Sequence, residues 1–166
     1  MMNATAFYRI ASVLLILFAA GHTFGFLSFK PPSPEALAVR DSMNNVHFQV
    51  RESSFSYGGF YKGFGLYVTA YLLFSAFLTW HLGALARSNP QAIGALGWAF
   101  CAVQVASLVL SWIYFSAAPA AFSAVVAACL GWAAWLVATP KAQALFRELT
   151  IDKGCDLHSV FGPVMK

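Results

Sequence analysis

Four stretches of this chain are almost wholly apolar, and its polar residues gather between and after them. Residues 10–29 hold no charged side chain, and between Lys62 and Lys141 the sole fully charged residue is Arg87. A helix needs about 20 residues to cross the hydrocarbon of a bilayer. The pattern therefore predicts spans over residues 10–29, 60–83, 92–115 and 119–138. The breaks between them have local causes. Lys30-Pro-Pro-Ser-Pro34 cannot continue a helix interior, Arg87-Ser-Asn-Pro90 is a polar turn, and Ser116-Ala-Ala-Pro119 places a proline where a first helical turn accepts it. Short connections make the last three spans antiparallel neighbours. The reading is all-α: a four-transmembrane-helix bundle forming one domain over 1–166, with a long, partly helical outer loop at 30–59 and a short amphipathic tail at 139–166. In that tail Ala144, Leu145, Leu149 and Ile151 alternate with Lys141, Arg147, Glu148 and Asp152, a pattern suited to the membrane surface.

The first span follows Arg9 as the apolar core of a signal peptide would. Phe18 stands where cleavage wants a small residue, however, and the apolar run continues through Phe24, Phe26, Leu27 and Phe29, so a retained span is expected. Four spans put both termini on one side. That side carries Arg9, Arg87, Lys141, Arg147, Lys153 and Lys166, against Lys30, Arg40, Arg51 and Lys62 on the other. The positive-inside rule then favours cytoplasmic termini in a plasma (bacterial inner) membrane.

The outer loop carries its own signals. Ser33-Pro-Glu35 reads as a cap, first helical residue and acidic first turn, opening a short helix from Pro34 to about Asn44. Ser53-Ser-Phe-Ser-Tyr-Gly-Gly59 reads as a flexible approach to the second span. The segment is either a lid over the outer mouth or a plain surface loop.

Within the spans, polar and small residues form lines. Gly59, Gly63, Tyr67, Tyr71, Ser75 and Thr79 recur every fourth residue in the second span, and Gly97, Cys101, Gln104, Ser107, Ser111 and Tyr114 form a line in the third. Both are expected to face inward, because hydroxyls and amides in hydrocarbon need partners. His22 lies in the first span on the order of 10 Å from its outer end at 1.5 Å per residue. Tyr67, Ser107 and Ser111 fall at similar depth. The candidate ligand site is therefore His22, Tyr67, Tyr71, Gln104, Ser107 and Ser111, with Asp41, Asn44 and His47 above it. His22 has two readings: an ionisable group in a span, which marks function by default, or a neutral ring that stitches helices together. Ala120, Ala124, Ala128 and Gly131 give the fourth span a face for close packing.

Composition narrows the chemistry. The chain is 60% hydrophobic and 10% charged, and its net charge of +4 comes without a basic cluster, so nucleic acid is not an expected partner. Cys101, Cys129 and Cys155 lack CxxC or metal spacing, and no metal motif such as HExxH appears. No cofactor is identified: His22 and His81 lie at opposite ends of their spans, which disfavours a bis-histidine haem. No Asp or Glu lies in any span, so an isomerase- or hydrolase-like mechanism would have to use His22 and Tyr67 with a loop carboxylate such as Asp41. The favoured expectation is a non-catalytic protein that binds a lipid, quinone or other apolar ligand, or an accessory subunit of a homo-oligomer or larger membrane complex.

With Gly21-His-Thr-Phe-Gly25, the Pro-rich outer loop, Tyr57-Gly-Gly-Phe-Tyr61 and four spans, the chain resembles small bacterial four-helix membrane proteins, and its layout is similar to that of the DoxX-like group. The resemblance implies the architecture alone; no functional residues carry over from it.

Overall fold

The computed structural model describes residues 3–139. The amphipathic tail expected from residue 139, with Cys155, lies outside them apart from Thr139. The elements are α1 (Ala4–Ser28), α2 (Pro34–Asn45), β1 (His47–Val50), β2 (Ser53–Ser56), α3 (Tyr57–Ser88), α4 (Leu96–Tyr114) and α5 (Ala117–Ala138), with a short 3-10 turn at Pro90–Ala92. Helices α1, α3, α4 and α5 are each long and apolar enough to cross a membrane. The observed α1 begins six residues before the expected span, at Ala4 rather than residue 10. Helix α3 runs 32 residues, about 48 Å at 1.5 Å per residue, well beyond the roughly 30 Å of hydrocarbon.

The chain divides into two compact units, one of residues 12–78 and one built from residues 3–11 with 79–139. In the second, α4 and α5 are joined by two residues, which forces them antiparallel. Their close approach depends on small side chains. A Cβ on Gly97 would stand 2.8 Å from the Tyr8 hydroxyl, 3.2 Å from Ile93 and 3.3 Å from Ala134. A Cβ on Gly131 would stand 3.2 Å from the Cys101 sulfur, whose thiol reaches the Ala127 carbonyl at 3.6 Å. Tyr8, Leu82, Ile93, Val126, Leu130 and Ala133 are buried here. Arg9 is accommodated at a helix end by laying its guanidinium over the Trp80 ring, 3.2 Å from the centroid, a cation–π contact that strengthens away from water.

In the unit of residues 12–78, α1 and α3 carry between them a small cap made of α2 and a hairpin. Ser33 starts α2 by accepting a hydrogen bond from the Ala36 amide at 3.2 Å, and the backbone N–H of Glu35, helped by the Ser33 hydroxyl, holds the Glu35 carboxyl below the usual carboxylate range. The flexible approach expected over 53–59 is instead β2 and the first turn of α3. Strands β1 and β2 pair antiparallel, with Phe48 opposite Phe55 and Val50 opposite Ser53. The hairpin escaped a reading based on turn residues because its tip is Arg51-Glu52 rather than a glycine pair. Arg51 takes up the positive φ, 54°, that a two-residue hairpin demands. Phe48 supplies the missing apolar anchor: its ring lies 4.9 Å from Tyr57, 5.8 Å from Phe60 and 6.1 Å from Phe55. The Tyr57 amide donates to the Val46 carbonyl at 3.2 Å, tying α3 to the end of α2.

The glycines make this packing testable. Gly97→Ala should lower stability by about 1–3 kcal/mol, as overpacking does. Gly25→Ala, where an added Cβ meets nothing within 4 Å, should stay within about 0.5 kcal/mol of the parent. Thermal denaturation of both variants in the same detergent measures the difference; equal losses would contradict the packing described.

Candidate functional site

A polar seam joins α1 to α3 within the unit of residues 12–78. Toward the start of α1 the Ser12 hydroxyl donates to the Ala76 carbonyl at 2.8 Å, buried. Further along, Thr23 donates to the carbonyl of Ala19, one turn back, at 2.7 Å. The Thr23 and Thr69 hydroxyl oxygens stand 2.9 Å apart, and His22 Nδ1 lies 3.3 Å from the same Thr69 oxygen. Thr69 also lies 3.4 Å from the Gly65 carbonyl. The His22 ring stacks on Phe26, with centroids 5.8 Å apart and planes 4° from parallel. Phe26 in turn tilts against Tyr61 at 5.5 Å and occupies the space a side chain on Gly65 would need.

Beside this seam runs an open groove of about 590 Å³, walled by Ile16, Ala19, Ala20, Phe24, Leu27 and Leu73, with Thr23, Ser28 and Thr69 as its polar members. Its lining is mostly apolar with a few polar groups, the character of small-molecule sites. Thr23 and Thr69 belong both to the groove wall and to the hydrogen-bonded cluster.

The residues expected to form the site are distributed as follows. His22 is half-buried in the seam. Tyr71 is half-buried on α3, while Tyr67 is 74% exposed. Asp41, Asn44 and His47 lie in the cap and are exposed. Asn44 packs against Gly58 at the start of α3, and His47 Nδ1 hydrogen-bonds the nearby Asn45 carbonyl at 2.8 Å. Gln104 and Ser111 are buried in the other unit, and Ser107 gives its proton to its own helix, to Val103, at 3.0 Å. His22 is thus brought together with Thr23 and Thr69, residues the sequence reading did not select.

The reason lies in helix geometry. A strict four-residue repeat advances about 40° per step beyond a full turn, so five steps from Gly59 to Thr79 rotate the line by about 200°. Ser75 and Thr79 are buried, as expected, but Gly59, Gly63 and Tyr67 have turned outward. The face that packs in this unit runs through Gly65, Thr69, Leu72 and Ala76, with mixed three- and four-residue spacing. Thr69 and Tyr67 point to opposite sides. On α4 the line of Gly97, Cys101, Gln104, Ser107 and Ser111 mixes three- and four-residue spacings, and all five are buried or half-buried, whereas its last expected member, Tyr114, is exposed.

Among the described residues no three His, Cys, Asp or Glu side chains stand close enough to share a metal ion. Comparison of the chain with protein-family models, with curated proteins and with solved structures gives no match.

If Thr69 is the joint of this seam, Thr69→Val should reduce stability by about 0.6–2 kcal/mol, the measured range for hydrogen bonds between membrane helices. Thr69→Ser, which keeps the hydroxyl, should restore most of it. Unfolding in mixed micelles checks the pair, and a Val variant as stable as the parent would contradict the role given to the hydroxyl.

Proposed function

We propose that this protein is a small, non-catalytic multi-pass membrane protein that holds an amphipathic apolar molecule, such as a lipid or a quinone-like compound, in the groove between α1 and α3. One observation carries the proposal: an apolar groove open along its length carries two neighbouring hydroxyls, Thr23 and Thr69, on its wall, with His22 behind them within hydrogen-bond distance of Thr69. That arrangement suits a ligand with a long apolar body and a small polar head. A charged head has no counterpart there, since α1 and α3 carry no carboxylate and their basic residues, Arg9, Lys62 and Arg87, are not among the groove's lining.

The membrane assignment follows from the same surfaces. Phe24, Trp112, Tyr114 and Phe115 are each more than 70% exposed, which is costly in water and ordinary in lipid. The charge distribution favours a bacterial inner membrane with cytoplasmic termini, which sets the α2 and hairpin cap on the outer face as a long, partly helical connection. An isomerase- or hydrolase-like role for His22, Tyr67 and Asp41 draws less support. Tyr67 and Asp41 are exposed, and neither has a partner among the described residues that links it to His22.

The test is site-resolved photolabelling. A diazirine-bearing fatty alcohol added to the protein in nanodiscs should label residues 16–28 and 69–73 preferentially. Ala20→Trp, which fills the groove from its wall, should cut that labelling about fivefold or more, the equivalent of roughly 1 kcal/mol of lost affinity. Labelling of Val105 and Val109, exposed on α4, should not change. Uniform labelling of every lipid-facing helix, unaffected by Ala20→Trp, would contradict a defined site.

A further inference from the structure

We infer that the β1–β2 hairpin is a membrane anchor, its aromatic face laid against phospholipid at the boundary between headgroups and acyl chains. The inference rests on the membrane reading above and is independent of the groove. It begins with the alternation of side chains along a strand, which sends successive residues to opposite faces. The cross-strand pairs sort by chemistry. Phe48 pairs with Phe55 and Val50 with Ser53 on one face, while His47 pairs with Ser56 and Gln49 with Ser54 on the other. The hairpin is therefore amphipathic. Its apolar face is only partly covered: Phe48 is half-buried, but Val50 and Phe55 each expose about half of their surface. The tip residues, Arg51 and Glu52, are charged and exposed.

What covers this face follows from what it joins. The Phe48 ring lies 4.9 Å from Tyr57 and 5.8 Å from Phe60, and Phe60 meets Phe64 at 4.8 Å. These rings carry the apolar face of the hairpin onto the side of α3 without a break. Phe60 and Phe64 are exposed as well, on a helix long and apolar enough to cross a membrane. The hairpin face is thus continuous with a lipid-facing surface. Lys62 gives the level. It is exposed and stands between Phe60 and Phe64 in the sequence. A lysine on a lipid-facing helix holds its ammonium at the interface. Phe60, about 3 Å along the axis at 1.5 Å per residue, then lies at the same boundary, and so does the hairpin packed on it. Helix length agrees: Lys62 to Arg87 covers about 38 Å of α3, close to the roughly 40–45 Å of a whole bilayer. Standing in water, the hairpin would leave Val50, Phe55 and their neighbours wet, which is costly. Laid on the leaflet, it covers them and keeps Gln49, Ser54 and the charged tip among the headgroups, as surface-bound amphipathic elements do.

The experiment uses full-length protein in vesicles of mixed phosphatidylcholine and phosphatidylglycerol. Benzoylphenylalanine, which couples to C–H bonds on irradiation, replaces Gln49, Val50, Ser54 or Phe55 one at a time. A fifth protein carries it in place of Val109, exposed on α4, as the reporter of lipid around a span. Mass spectrometry reads the adducts. Val50 and Phe55 should give acyl-chain adducts, and Gln49 and Ser54 about tenfold fewer, the ratio that burial of one large apolar side chain sets between two faces. Phe55→Glu should cut the adducts at Val50 by about tenfold and leave those at Val109 unchanged, which shows that the variant is still inserted. Equal adducts on the two faces, or none on either while Val109 is labelled, would overturn the inference and leave the membrane reading intact. Coupling of Val50 or Phe55 to a second polypeptide in place of lipid would overturn it too. Absence of lipid adducts at Val109 would remove the membrane reading and the anchor with it.

Discussion

A hydroxyl or imidazole within hydrocarbon has no water to turn to, and the pairing of α1 with α3 is organised by that constraint. Ser12, His22, Thr23 and Thr69 along the shared face each find a partner on their own helix or its neighbour. Ser12 bonds the backbone of α3, Thr23 bonds its own helix and touches Thr69, and His22 reaches Thr69 as well. Between lipid-covered helices there is little hydrophobic driving force, so such bonds and close packing must hold the pair. The same residues leave the interface imperfect. Ala19, Ala20, Leu73 and Thr69 line the groove, and the Thr23 and Thr69 members of the polar cluster belong to its wall.

The other unit meets the constraint differently. It buries Thr79, Gln104, Ser111 and Ser123, and α4 and α5 approach through Gly97, Gly131 and alanines until the Cys101 thiol touches the backbone of Ala127. That close approach leaves the Tyr8 and Ser123 hydroxyls buried without a hydrogen-bond partner among the described residues. Dense packing there and a hydrogen-bonded groove in the first unit are two ways of associating apolar helices.

The four spans were legible because hydrocarbon thickness and helix rise dictate the length of an apolar run, and Arg87 and the proline clusters mark the breaks. His22 stood out because few ionisable residues lie in the spans. Its partners did not, because threonine is unremarkable in an apolar helix and a fixed four-residue spacing slides around the helix instead of following its contact face. Thr69 sits two residues from Tyr67, and that offset carries it to the opposite side. The line on α4, with its mixed spacing, stayed on one face from Gly97 to Ser111. The hairpin was hidden for a separate reason: Arg51 holds a backbone conformation usually signalled by glycine, and the Phe48 cluster that anchors it is visible only in three dimensions.

The central claim is that the α1–α3 groove is a binding site and more than a packing fault. Native mass spectrometry of gently extracted protein, with identification of any released small molecule, tests it most directly. The account predicts one apolar molecule with a small polar head per chain, retained by the parent protein and absent from folded Ala20→Trp. An empty parent protein, or the same mixture of bulk lipids on both proteins, would contradict it.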